Sequence, residues 1–199
     1  MSQKEISLNK LRDKIISNKR LIEMFPDATN LVFGEGNPDS KVLFIGEAPG
    51  KNEDLQGRPF VGASGKILDQ SLENINLSRS DVYITNIVKY RPEDNRDPSD
   101  YEKEQFLPYL LAQILIIKPK LLVTLGRHSM SCFIKNGTIN SVHGKIVNIN
   151  FNIFGFDFLT KSSQKVFNLL PLFHPAATIY NRNLKNVWQE DFNKILNYI

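Results

Sequence analysis

Four apolar runs of strand length, separated by stretches with helical periodicity, constrain this chain more than any other feature. They are Lys41-Val-Leu-Phe-Ile-Gly46, Val82-Tyr-Ile-Thr-Asn-Ile-Val88, Leu121-Leu-Val-Thr-Leu-Gly126 and Val166-Phe-Asn-Leu-Leu-Pro-Leu172. Continuous rather than alternating apolar character marks strands covered on both faces, so the expected architecture is α/β: a parallel sheet with helices on either side. Helices are expected over Ser2–Asn18, Ser64–Ile75, Ser99–Ile117, Arg127–Ile134 and Leu184–Asn197, with Ser99 an N-cap ahead of Glu102. The segment from Val142 to Lys161 reads as a hairpin or irregular insertion. At 199 residues, one domain spanning 1–199 is expected.

Composition excludes several classes. The single cysteine, Cys132, rules out an internal disulfide and any cluster held by four cysteines of this chain. Three histidines, His128, His143 and His174, lack zinc-motif spacing, so no metal site is expected. No apolar run spans a membrane and the N-terminal residues do not resemble a secretion signal, so a soluble, non-secreted protein is expected, in the cytoplasm or wherever the genome resides. A net charge of +4 is compatible with a polyanionic partner without demanding one.

In open parallel sheets, ligands bind beyond the carboxyl ends of the strands. The loop after the first run, Gly46-Glu-Ala-Pro-Gly-Lys-Asn-Glu-Asp54, has the glycines and lysine of a phosphate loop. It fails the test, because three residues separate Gly46 from Gly50 and Asn52 follows Lys51 where a Ser or Thr is needed. A nucleotide hydrolase is therefore disfavoured. A tight turn explains Pro49 and Gly50 but leaves Glu47, Glu53 and Asp54 unexplained.

In Gly57-Arg-Pro-Phe-Val-Gly-Ala-Ser-Gly65, Phe60 is either core or a stacking platform, core being favoured on residue type alone. Gly62 and Gly65 permit close backbone approach where helix amides hold anionic or carbonyl oxygens. Asn86 ends the second strand with an amide whose donor and acceptor match the edge of a pyrimidine, or it is an ordinary satisfied strand-end Asn. Lys89, Arg91 and Arg96 offer charge for backbone phosphates, against a default of solvated surface. His174, at the last strand exit, is either a structural histidine or a donor to a leaving group.

Taken together and in order, Gly46-Glu-Ala-Pro-Gly50 with Glu53 and Asp54, Gly57-Arg-Pro-Phe-Val-Gly62, Thr85-Asn-Ile-Val-Lys89, Arg91-Pro with Asn95-Arg96, Leu125-Gly-Arg127 and His174-Pro-Ala-Ala177 resemble the motif series of family 4 uracil-DNA glycosylases. The match runs from about Val32 to the C-terminus. The resemblance implies an α/β/α sandwich around a four-stranded parallel sheet and hydrolysis of the bond joining uracil to deoxyribose, in single- or double-stranded DNA, by a monomer.

By the same resemblance, Glu47, Asn86 and His174 are the catalytic candidates. Gly46, Ala48, Glu53 and Phe60 would line the uracil site with them, Glu53 excluding thymine. Arg58, Lys89, Arg91, Asn95, Arg96, Ala177, Ile179 and Tyr180 would face DNA, the apolar ones filling the stack vacated by a flipped nucleotide.

The sequence departs from that family in one respect. Relatives hold a [4Fe–4S] cluster on four cysteines, two of whose positions are Tyr90 and Phe106 here, so no cofactor is expected and aromatic packing is expected in its place. Ala48 stands where family 1 enzymes carry a catalytic Asp, a feature shared with other family 4 sequences that points to modest activity. The absence of a histidine between Arg91 and Pro98 points to turnover rather than a stable DNA adduct. The competing expectation is a glycosylase fold that binds DNA after losing its chemistry.

Overall fold

The computed structural model describes residues 1–156 and 166–199. A six-stranded sheet forms its centre, in the order β1-β3-β2-β4-β6-β5. The four predicted runs are β2 (Val42–Gly46), β3 (Tyr83–Asn86), β4 (Leu121–Leu125) and β6 (Val166–Leu172), all mutually parallel. The expected parallel core is thus present, widened by two antiparallel edges, β1 (Glu35–Gly36) and β5 (Val147–Asn150). β5 lies in the segment read as a hairpin or irregular insertion; the part of that segment from 157 onward lies outside the described residues.

Strand side chains alternate between the two faces. Leu43 and Ile45 join one apolar cluster with Leu122, Phe167 and Leu169, while Val42 and Phe44 join the other with Val123, Leu170 and Leu172. The first cluster is closed by α1 (Gln3–Ile16), α2 (Lys19–Glu23) and α5 (Asp100–Ile117), the second by α4 (Ala63–Glu73) and α9 (Leu184–Asn193). The result is the three-layer α/β/α sandwich. Ser99 caps α5 through a reciprocal box with Glu102, as the sequence predicts.

One predicted loop is partly helical. After Gly50 the chain forms α3 (Lys51–Gln56), with Glu53 and Asp54 in its first turn, where the helix dipole favours acids. Gly57, at φ 65°, ends it. Six residues are too few for periodicity to register, so the pattern reads as a loop. Asp54 is a structural residue: its buried carboxylate accepts from the backbone amides of Thr29 and Asn30 at 2.9 to 3.0 Å, tying the N-terminal segment to α3.

The remaining helices are α6 (Arg127–Ser131), α7 (Ile139–Val142) and the single turn α8 (Ala177–Tyr180). Among the described residues no helix is long and apolar enough to cross a membrane.

Candidate active site

The parallel register pairs Gly46 with Asn86 across β2 and β3, so the first and third motifs abut at one sheet end. A side chain at Gly46 would overlap Asn86 Oδ1 and lie 2.5 Å from Phe60 Cζ; only glycine lets the amide and the ring converge there. Gly126, at φ 99°, does the same where the fifth and sixth motifs meet, since a Cβ would sit 3.0 Å from that of His174. The rings of Phe60 and His174 are 6.1 Å apart and tilted by 32°. Phe60, Asn86 and His174, with Glu47, Ala48, Gly50, Glu53 and Ser64, line a cavity of about 210 Å³. That is smaller than the ~300–1,000 Å³ of drug-sized sites and suits a single small ring.

Phe60 is held there against its backbone preference. It has φ 53°, a left-handed conformation that costs about 1–3 kcal/mol unless the surroundings enforce it. Two distant side chains do so. Glu53 Oε1 accepts from the amides of Val61 and Gly62 at 2.9 and 2.8 Å, and Arg79 donates to the carbonyl of Phe60 at 2.9 Å and to that of Pro59. Arg79 is itself fixed by Glu35 and Asp69. The Gly62 amide, expected to be open to a ligand oxygen, is therefore occupied by Glu53. Gly65 serves packing, because a Cβ there would overlap the carbonyl of Phe60. Arg79, Asp69 and Glu35 carry no motif that sequence reasoning could have used.

Two residues lining this cavity each hold a buried polar atom with no hydrogen-bond partner among the described residues. Asn86 is 1 % exposed, yet its Oδ1 has no hydrogen-bond partner, an arrangement that costs free energy until a donor arrives. Glu47 Oε1 is likewise buried and without a hydrogen bond. Burial, and then the negative charge of Asp97, push the Glu47 carboxyl up to about 7.

His174 accepts from the Ala176 amide through Nδ1 at 3.3 Å, which leaves the ring proton on Nε2. Burial lowers its pKa, with nearby His128 adding to the effect, so the ring is neutral at pH 7.

The residues expected at DNA divide. Ile179 and Tyr180, 49 % and 88 % exposed, project from α8 directly after His174, and Ala177 opens that turn. Asn95 and Arg96 border a second hollow beside Glu47, Pro49 and His174. Arg91 donates to Asn95 Oδ1 at 2.7 Å, and Arg96 pairs with Glu102 at 2.6 Å. Arg58 is exposed but paired with Glu35 at 2.6 Å.

Lys89 is a correction. It is fully buried, with Nζ donating at 2.6 Å to Thr85 Oγ1, the Asn86 carbonyl and Gln113 Oε1, and it reaches no phosphate. Three well-placed acceptors supply the solvation that surface exposure would otherwise give a lysine.

Sequence reasoning passed over His128 and Asp97. With Glu47 they place one ligand-capable atom each within 4.8 Å of one another.

Tyr90 and Phe106 pack edge-on at 6.2 Å, and Phe25 stacks on Tyr90 at 6.0 Å, forming an aromatic cluster behind the β3 exit. Cys132 is the chain's one cysteine, and burial pushes its thiol up to about 11.

A doubly covered parallel sheet with a strand-end cavity lined by an aromatic ring, an amide, a neutral histidine and a carboxyl group defines a class of protein with room for one flat heterocycle next to groups able to move protons. The family described as the uracil DNA glycosylase superfamily matches residues 33–198, and the chain belongs to it. It is 45 % identical over 195 residues to a type-4 uracil-DNA glycosylase of Sulfurisphaera tokodaii, covering 95 % of this chain and 83 % of that protein. A namesake from Saccharolobus solfataricus is 45 % identical over 172 residues, covering 83 % and 74 %. A third, from Archaeoglobus fulgidus, is 40 % identical over 186 residues, covering 90 % and 87 %.

Proposed function

We propose that this protein is a monofunctional uracil-DNA glycosylase that hydrolyses the N-glycosidic bond of uracil in DNA and so starts base excision repair. The observation that carries the reading is the convergence of Phe60, Asn86 and His174 on one ring-sized cavity, in a chain that is 40–45 % identical to type-4 enzymes over most of its length.

The chemistry follows from the geometry. The target nucleotide leaves the stack, at a few kcal/mol, and its base enters the cavity. Stacking on Phe60 returns about 1–3 kcal/mol. Asn86 Oδ1 accepts the N3–H of uracil, satisfying both groups. As the bond from C1′ to N1 stretches, positive charge grows on the sugar and negative charge on the base, and the Nε2–H of His174 donates to uracil O2. A neutral donor suits this role, because it stabilises the anion without fully protonating it. Glu47, once ionised, orients water toward C1′. Water adds there, its proton passes to Glu47 and on to solvent, and uracil departs. Glu53 acts by fixing the Phe60 loop, and Gly46 and Ala48 leave room for the ring.

Exposed Ile179 and Tyr180, with Ala177, fill the vacated stack, while Arg58, Arg91, Asn95 and Arg96 meet the DNA backbone. The whole chain acts as one unit and as a monomer, on single- or double-stranded DNA. A [4Fe–4S] cluster does not fit the residues present, since one cysteine with a protonated thiol cannot supply four thiolates. The aromatic contacts of Phe25, Tyr90 and Phe106 take over the bracing, and no step depends on metal.

The test is incubation with single- and double-stranded uracil oligonucleotides followed by alkaline cleavage. Strand breaks at uracil, lost in Asn86→Ala and His174→Ala variants that melt like the parent, are expected. Intact strands with retained DNA binding would instead assign a binding module. Stoichiometric iron with a brown colour would overturn the cluster-free reading.

A further inference from the structure

Beside the cavity, Glu47 meets a cluster that the mechanism above leaves unused. His128, on α6, places Nδ1 3.6 Å from Glu47 Oε1. On its other side Nε2 accepts from Arg127 Nε at 2.9 Å and lies 3.1 Å from Asp97 Oδ2, which Arg127 Nη2 approaches at 3.5 Å. With Nε2 accepting, the neutral ring carries its proton on Nδ1; the imidazolium carries one there as well. In either form Nδ1, 3.6 Å from a carboxyl oxygen that has no hydrogen bond, carries an N–H. The separation exceeds a hydrogen bond, as pairs in ligand-free sites often do before substrate tightens them.

We propose that His128 is a positioning residue for Glu47: its Nδ1–H turns the carboxylate toward the sugar of the bound nucleotide, and Arg127, itself paired with Asp97, locks the ring in that orientation. The inference rests on the reading of Glu47 as the group that orients water. It assigns a task to the Gly126-Arg-His128 segment, whose resemblance to the family otherwise stops at Arg127.

The ionisation of Glu47 is then a property of the cluster. Asp97, from the loop after β3, opposes the anion, while Lys103 of α5 and Arg127 of α6 favour it. Asp100 and Lys103 act on His128 as well, His128 acts on His174, and the charge of Glu47 is felt by the Cys132 thiol. Burial lowers the pKa of His128, which keeps the ring neutral near pH 7, so its contribution is a directed donor rather than a full charge.

The test is steady-state excision from a single-stranded uracil oligonucleotide between pH 5.5 and 9, with melting curves for every variant. His128→Ala is expected to lower kcat about tenfold with KM unchanged, and to move the acid limb of the profile up by roughly half a pH unit. His128→Asn, whose amide N–H reaches the place of Nδ1, should recover most of the rate. In a Glu47→Gln background, His128→Ala should add no further loss, because two residues acting through one group are not additive. An unshifted limb and parental kcat in His128→Ala, alongside a crippled Glu47→Gln, would overturn the role of His128 while leaving that of Glu47 intact. Full activity in Glu47→Gln would remove both.

Discussion

Replacing Glu47 with Gln should disable the enzyme and, at alkaline pH, stabilise it. The side chain is 22 % exposed, and burial with the charge of Asp97 raises its carboxyl from 4.5 to about 7. Between those values the folded protein holds a proton that the unfolded chain has released. Stability from this group therefore falls as pH rises through that window, and the loss is complete above it.

A rise from 4.5 to about 7 corresponds to at most ~3.4 kcal/mol at 1.36 kcal/mol per pH unit. Because the carboxyl keeps contact with water, and Lys103 and Arg127 favour the anion, about 1–2 kcal/mol is the figure to expect. Glutamine never ionises, so the variant escapes this penalty. At pH 8.5 its melting temperature should exceed the parent's by roughly 3–6 °C, whereas toward pH 5, where the folded side chains are both neutral and the unfolded carboxyl has released only the first part of this free energy, the gap should shrink to a small fraction of that. Calorimetry or circular-dichroism melts across pH 5–9 read this directly. A gap independent of pH, or a variant less stable than the parent at pH 8.5, would refute the argument that the site strains its own carboxylate.

Asn86→Ala should cut kcat about 10²–10³-fold while leaving the melting temperature unchanged or higher, since it removes a buried unpaired acceptor; single-turnover kinetics and melts check both parts. Lys89→Met should destabilise the protein by about 2–3 kcal/mol by removing the buried donor that Thr85 Oγ1, the Asn86 carbonyl and Gln113 Oε1 share, yet leave the salt dependence of DNA affinity unaltered, which titrations at several ionic strengths would show. Gly65→Ala should cost about 3 kcal/mol or more, because the added methyl meets the Phe60 carbonyl, and residual folded protein should bind uracil poorly by calorimetric titration.

The sequence by itself determined the layered α/β architecture, the four parallel strands, the capping of α5 and the places where motifs leave the sheet. Each of these is written in signals a few residues long: unbroken apolar runs, a Ser99–Glu102 box, glycines at strand exits. The edge strands and α3 escaped because two to six residues carry too little periodicity to read.

The condition of the site was decided only by tertiary structure. Whether Lys89 meets phosphate or Gln113 depends on an acceptor 24 positions away. The left-handed turn at Phe60 depends on Arg79, 19 positions on, and the carboxyl of Glu47 faces a histidine from another strand exit. Burial and partner identity at such positions are products of packing, since desolvation has no meaning for a side chain until its neighbours from elsewhere in the chain have excluded water from it.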